Sequence, residues 1–223
     1  MATYVLIHGG GGSAWDWHLV EEELRGRGHN VVAPDLPSED ESAGLSEYVD
    51  TVVEAVQARR DLVVVAHSLG GFTAPLVCAR VAVDLLVLVA GMVPSPGETG
   101  MEWWANTAYE DSGESDVFYH DVPRELAEEA RKRERDQAEA PMVEPWPLKA
   151  WPDVPTRFLL CRDDRMFTAD FMRRVARERL GIVPDETEGG HYVTLSRPRE
   201  LADRLEAYRE GLQESGAGRG DGP

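Results

Sequence analysis

Ser68 ends an apolar run and directly precedes Leu69 and two glycines, in the stretch LVVVAHSLGG at residues 62–71. A buried strand that stops at a serine and continues into a helix is the sequence form of a nucleophile elbow, a sharp turn with the serine at its tip. Because such a turn strains the backbone, the neighbouring side chains must be small, as Gly70 is. The usual Gly-x-Ser-x-Gly pattern also has a glycine two residues before the serine; this chain has Ala66 there, which stays small but gives up easy access to positive φ. The stretch predicts a nucleophilic Ser68.

A serine hydroxyl is a weak nucleophile at neutral pH, so it needs a base within hydrogen-bond reach and an acid that orients the base. His191 is the best candidate base, because the two glycines before it allow a loop that can aim the imidazole back over a sheet. Asp163 and Asp164 follow another apolar run and are the candidate acids. Together these residues predict covalent catalysis, in which the serine attacks the substrate and the histidine takes the serine's proton.

The other histidines are weaker candidates. His67 is next to Ser68 in sequence, but adjacent side chains diverge at a sharp turn, so we expect it to have a packing role. His18, His29 and His120 are expected to be exposed.

The elements that must position these groups alternate between short apolar runs and helix-like stretches. This alternation predicts a mainly parallel sheet with helices on both faces, a three-layer α/β/α sandwich. The predicted strands are Thr3–Ile7, Asn30–Ala33, Leu62–Ala66, Leu85–Val89, Arg157–Leu160 and Gly181–Pro184. The predicted helices are Trp15–Arg27, Leu45–Arg59, Leu69–Val81, Ala169–Leu180 and Arg199–Gly211.

The regular alternation breaks between Met92 and Asp153, in a segment rich in Glu, Pro and aromatic residues with one charged helix, about Pro123–Ala138. We therefore predict a core of residues 1–91 and 153–212, a cap of residues 92–152, and a Gly-rich, disordered tail of residues 213–223. The tryptophans of the cap either line a substrate pocket or pack the cap onto the core, and both can hold.

The composition indicates a strongly acidic protein. Asp and Glu outnumber Lys and Arg 41 to 23, for a formal net charge of −18, which argues against partners such as nucleic acid or an anionic membrane. Two cysteines give no disulfide framework, and a strand that begins at Thr3 leaves no room for a signal peptide. The run Leu85–Gly91 is too short to span a bilayer. A cytoplasmic location is expected.

These motifs and their order resemble the α/β-hydrolase superfamily, and especially its small serine esterases and their relatives, the plant-type methylesterases and hydroxynitrile lyases. The resemblance extends from Thr3 to about Arg209. It implies the α/β-hydrolase fold, with a small helical cap after the fourth strand and the chain order serine, acid, histidine.

The resemblance also implies the roles of individual residues. Related enzymes place the acid three positions after a small residue at a strand end; Cys161 is that residue here, which favours Asp164 over Asp163 without excluding the latter. The oxyanion hole would consist of the backbone N–H groups of Gly10 and Leu69.

The implied activity is hydrolysis of a small-molecule carboxylic ester through an acyl-enzyme at Ser68, with no metal and no cofactor. Hydroxynitrile lyases carry a lysine and a threonine where this chain has Tyr192 and Gly9, which favours ester hydrolysis. Lactonase, thioesterase and C–C bond hydrolase activities stay open, as does a slow or non-catalytic ligand receptor.

A rival interpretation concerns the glycine loop. Residues 9–14 match Gly-x-Gly-x-x-Ala after a strand, and Asp35 ends the second strand about where a ribose-binding acid is expected. Trp15 and Trp17 would crowd a pyrophosphate at the start of the helix, so a nucleotide cofactor is not expected.

Overall fold

The computed structural model describes residues 1–217, with side chains to residue 212. Within these residues the strands form one six-stranded parallel sheet in the order β2-β1-β3-β4-β5-β6. The strands are β1 (Thr3–Ile7), β2 (Asn30–Val32), β3 (Leu62–His67), β4 (Leu85–Val89), β5 (Thr156–Cys161) and β6 (Asp185–Thr187). No helix in the described part of the chain is long and apolar enough to cross a membrane.

Helices cover both faces of the sheet. Within residues 1–217, a short 3-10 helix (Ala14–Trp17) and seven α-helices lie between the strands, and two more α-helices follow the last strand. They are α1 (His18–Gly26), α2 (Leu45–Val56), α3 (Gly70–Cys78), α4 (Gly100–Asn106), α5 (Arg124–Lys132), α6 (Ala140–Val143), α7 (Ala169–Leu180), α8 (Val193–Ser196) and α9 (Pro198–Ala217). The predicted three-layer α/β/α class is confirmed.

The alternation of side chains along β3 explains the layering. Val64 and Ala66 join a buried cluster with residues of α2, α3 and α7. Val63 and Val65 point to the opposite face and join a cluster with α1 and α9. Successive residues of a strand point to opposite faces, so an apolar run that is buried throughout packs helices on both sides.

The segment between β4 and β5 carries α4, α5 and α6. The predicted helix Pro123–Ala138 ends early, with α5 at Lys132, because the chain beyond it is used for contacts with the core. Arg135 N–H donates to the carbonyl of Gly11 at 2.8 Å, and Ala138 N–H donates to that of Ser38 at 2.7 Å. Tertiary contacts override the local helical pattern here.

Two further predictions about the C-terminal part are wrong. The last strand is β6, Asp185–Thr187, rather than Gly181–Pro184; Gly181 ends α7 with φ +68°, and Val183 is 81% exposed. The last helix α9 continues to Ala217, into the segment 213–223 for which we expected disorder. Residues 218–223 lie outside the described residues.

Candidate active site

The nucleophile turn has the strained backbone that the sequence predicts, since Ser68 has φ +51°. A Cβ on Gly70 would lie 2.8 Å from the carbonyl oxygen of His8, and one on Gly71 would overlap the backbone of Met92. Both positions therefore require glycine for close approach. Ala66 lies in regular strand conformation opposite Ile7 and has no positive φ. Its position requires only a small side chain.

A continuous chain of hydrogen bonds links Ser68, His191 and Asp164. Ser68 Oγ lies 3.1 Å from His191 Nε2, and His191 Nδ1 lies 2.8 Å from Asp164 Oδ2. With the proton assigned to Nδ1, the imidazole donates to the carboxylate and accepts from the serine hydroxyl. Asp164 Oδ1 accepts the backbone N–H groups of Met166 and Phe167 at 2.8 and 2.9 Å. The carboxylate is thus fixed on both oxygens.

Asp163 has a different partner. Its Oδ2 accepts the N–H of Gly189 at 2.9 Å, and its own N–H donates to the carbonyl of Gly189 at 3.1 Å. Asp164 is therefore hydrogen-bonded to the imidazole of His191, and Asp163 is hydrogen-bonded to the backbone of the histidine loop, residues 188–192.

Two further histidines, both buried, hold the loops around the site. His67 Nε2–H donates to the carbonyl of His191 at 2.9 Å, so His67 does more than pack. His8 Nε2 accepts the N–H of Leu36 at 3.0 Å, and its Nδ1–H donates to the carbonyl of Gly9 at 2.8 Å. Burial lowers the pKa of His8 to about 4, and burial followed by the charge of His191 lowers that of His67. Both rings are therefore neutral near pH 7 and hydrogen-bond to the backbone of neighbouring loops.

The glycine loop, residues 9–12, crosses the nucleophile turn. A Cβ on Gly10 would lie 3.1 Å from Leu69 Cδ2, so these two predicted oxyanion donors are neighbours. Among the described residues, neither the N–H of Gly10 nor that of Leu69 donates to a protein acceptor. Both residues line the same cavity as Ser68. Gly10 and Leu69 therefore stay the candidate oxyanion donors.

The cavity above Ser68 has a volume of about 310 Å³. The cap supplies much of its lining: Trp104, Phe118, Tyr119, Glu134, Arg135, Gln137 and Met142. Trp103 and Trp146 instead are fully buried and donate their indole N–H groups to the carbonyls of Val93 and Phe72. Trp104 thus lines the cavity, whereas Trp103 and Trp146 pack into the buried cluster of the core.

A buried carboxyl group lies behind the glycine loop. Asp16 is 7% exposed, and its Oδ2 accepts the N–H of Ser13 at 3.1 Å. Burial raises its pKa to about 6. Nearby, Asp35 Oδ1 accepts the N–H of Ala14 at 2.7 Å, and Trp17 is fully buried. Asp35 thus braces the start of the 3-10 helix, which disfavours the nucleotide interpretation.

Sequence reasoning missed the roles of two loop histidines. His29 is buried; its Nδ1 accepts the N–H of Ala2, and its Nε2 lies 2.6 Å from Glu206. His120 Nε2–H donates to the carbonyl of Asp163 at 2.9 Å. Asp121, which the sequence did not single out, accepts the N–H of Gly190 at 2.7 Å. No local pattern marks His120 or Asp121, because their contacts depend on the path of the cap.

The chain belongs to the Alpha/beta hydrolase family, whose pattern it matches over residues 4–204. It is similar to Probable esterase PIR7A of Oryza sativa subsp. indica, with 35% identity over 107 residues, 43% of this chain and 41% of that protein. The alignment thus spans less than half the length of this relative.

Solved structures share the fold over almost the whole chain. Polyneuridine aldehyde esterase superposes with a TM-score of 0.80 at 19% identity, covering 93% of this chain and 99% of that one. A pyrethroid hydrolase from Sphingobium faniae JZ-2 superposes with a TM-score of 0.79 at 20% identity, covering 96% and 99%. At such identities the likeness establishes the fold.

Proposed function

We propose that the protein is a serine hydrolase that cleaves a small carboxylic ester through an acyl-enzyme at Ser68. The observation that carries the proposal is the hydrogen-bonded series Ser68–His191–Asp164 at 3.1 and 2.8 Å, beside a cavity that Gly10 and Leu69 also line. The esterase names among the relatives support the same class of reaction.

The geometry supports the following steps. Ser68 Oγ attacks the ester carbonyl while His191 Nε2 takes its proton, and Asp164 stabilises the imidazolium. The N–H groups of Gly10 and Leu69 hold the oxyanion of the tetrahedral intermediate. His191 then gives the proton to the departing alcohol, and the acyl-enzyme forms. A water molecule, deprotonated by His191, releases the acid and restores the serine.

The cavity points to a small substrate. At about 310 Å³ it is at the lower end of ligand-pocket volumes. Leu69, Met92, Met142, Met166 and Phe167 supply apolar lining, and residues 92–152 act as the lid over it. A lactone or thioester would meet the same reacting groups, so a substrate panel must include both.

Ser68→Ala tests the proposal against Ser42→Ala, which removes an exposed serine bonded to Asp40. We expect Ser68→Ala to lower kcat on short p-nitrophenyl esters by on the order of 10³–10⁶ and to abolish fluorophosphonate labelling, with unchanged thermal unfolding. Ser42→Ala should behave as wild type. Tight ligand binding without turnover or labelling by the wild-type protein would instead favour a receptor.

A further inference from the structure

Two consecutive cap residues, His120 and Asp121, each contact a different loop of the site. His120 Nε2–H donates to the carbonyl of Asp163, at 2.9 Å. Asp121 Oδ2 accepts the N–H of Gly190, at 2.7 Å. These contacts fall on the residues next to Asp164 and next to His191. One dipeptide thus bridges the acid loop, residues 162–167, and the histidine loop.

The fit between this dipeptide and Gly190 is tight. A Cβ on Gly190 would lie 2.6 Å from Asp121 Oδ1 and 2.7 Å from His120 Nε2. The cap therefore closes against the loop at a point that only a glycine allows. This contact limits how closely the histidine loop and the cap can approach each other, in addition to the hydrogen bond between them.

The core supplies the neighbouring restraints of the histidine loop. Asp163 holds both the N–H and the carbonyl of Gly189, and His67 holds the carbonyl of His191. Among the described residues, the acceptor for the intervening N–H of Gly190 comes from the cap. Two consecutive glycines have wide backbone freedom, so each restraint on this stretch bears on where the imidazole points.

We propose that Asp121 is a positioning residue: by holding the Gly190 amide, with His120 on the Asp163 carbonyl, it sets the distance across which His191 meets Asp164 and Ser68. This inference rests on the proposed function. The cap then does two things at once, because the segment that lines the cavity also fixes the general base. Misplacing a reacting group by about 1 Å can cost about 10²-fold in rate.

Asp121→Ala and Asp121→Asn test the proposal in the full chain. The alanine variant loses the acceptor, whereas asparagine keeps a side-chain oxygen for the Gly190 N–H. The matched control is Asp111→Ala, which removes an aspartate that accepts the N–H of Gly113 at 2.7 Å within the cap. Rates on p-nitrophenyl esters are divided by the concentration of sites that a fluorophosphonate titrates, so that unfolded protein does not count.

We expect Asp121→Ala to lower kcat per titrated site by about 10- to 100-fold, with KM changed by less than about threefold. Asp121→Asn should recover most of the rate, and Asp111→Ala should match wild type. A lower melting temperature of Asp121→Ala with a wild-type kcat per site would assign Asp121 a purely structural role and overturn the proposal.

A second readout needs no turnover. The imidazole Nδ1 proton of His191, held by Asp164, should give a low-field proton NMR signal that Asp121→Ala broadens or removes and Asp121→Asn retains. If the wild-type protein cleaves no ester, the proposed function fails, yet this signal still decides the positioning role. An unchanged signal in Asp121→Ala contradicts the inference.

Discussion

The sheet core and the cap hold their residues in different ways. In the core, α3 is buried along almost its whole length, and its glycines approach Ile7 at the end of β1 and Met92 beyond β4, so steric contact fixes Ser68. In the cap, α5 exposes most of its charged residues, and the connecting loops reach the site through single hydrogen bonds. Ser68 is therefore fixed by packing, whereas His191 is held by polar contacts.

This difference predicts where substitutions act. Changes to the contacts beside Ser68 should affect the chemical step, and changes at the base of the cap should affect folding. Changes to the cavity lining should affect substrate binding.

Asp164→Asn should have the largest effect, lowering kcat by about 10⁴ because an amide favours the wrong imidazole tautomer. Asp163→Asn is its matched control; it keeps an oxygen for the N–H of Gly189 and should lose less than about tenfold. Steady-state kinetics of both variants checks the prediction. Equal losses would contradict the assignment of the acid.

Glu98→Ala should remove a buried ion pair that joins the cap to α7 of the core. Glu98 and Arg179 form an ion pair with side chains 3% and 12% exposed, and Asn106 donates to the same carboxylate. Burial raises the pKa of Glu98, but the bonds from Arg179, Asn106 and Ser95 outweigh it and hold the pKa below its usual value.

Removing one partner of a buried pair leaves the other charge uncompensated. We therefore expect Glu98→Ala to lower the free energy of unfolding by about 3–5 kcal/mol, measured by urea denaturation. Glu102→Ala, which removes an exposed acceptor for the N–H of Thr99 at the start of α4, should cost only about 1 kcal/mol. Similar losses would show that burial of the pair is unimportant.

Asp16→Asn should change how stability depends on pH. Burial raises the pKa of Asp16 from 3.8 to about 6. The folded state then binds the proton more tightly than the unfolded state, so this group's contribution to stability falls as pH rises through this window. Asparagine does not ionise, so its contribution to stability does not fall in this way.

The stability of Asp16→Asn relative to wild type should therefore increase between pH 4 and 7 by on the order of 2 kcal/mol. Urea titrations at both pH values measure the difference. A difference that does not vary with pH would show that the carboxyl group is not penalised by burial.

Phe118→Ala should have the smallest effect. Phe118 is 37% exposed on the rim of the cavity, with its ring centroid 5.5 Å from that of His191. Loss of this wall should raise KM by about three- to tenfold while kcat stays near wild type, because the contact contributes equally to substrate and transition state. A selective loss of kcat would instead place the ring in the chemical step.

The sequence predicts the core better than the cap, and particular residues show why. Strands β1 and β4 coincide with continuous apolar runs. The edge strand β6 is polar and pairs with β5 on one side, so its pattern resembles a loop. The true loop contains Ile182 and Val183, whose apolar character suggested a strand.

The residues of the candidate site also differ in how far the sequence predicts them. Ser68 and the glycines after it can be predicted because a turn of this shape restricts residue types locally. Choosing Asp164 over Asp163 required a family resemblance, since both follow the same strand. Asp121 could not be predicted, because its contact with Gly190 joins residues 69 positions apart through a cap without periodic pattern.

The order of the strands along the chain has a consequence during protein synthesis. Strands β1, β3 and β4 are complete once residue 89 has left the ribosome, whereas the acid and the base arrive at residues 164 and 191. A nascent chain that has already built its nucleophile turn therefore carries an ordinary alcohol. Under the proposed function, this hydroxyl becomes reactive only after residue 191 has been made, so shorter nascent chains cannot form an acyl-enzyme.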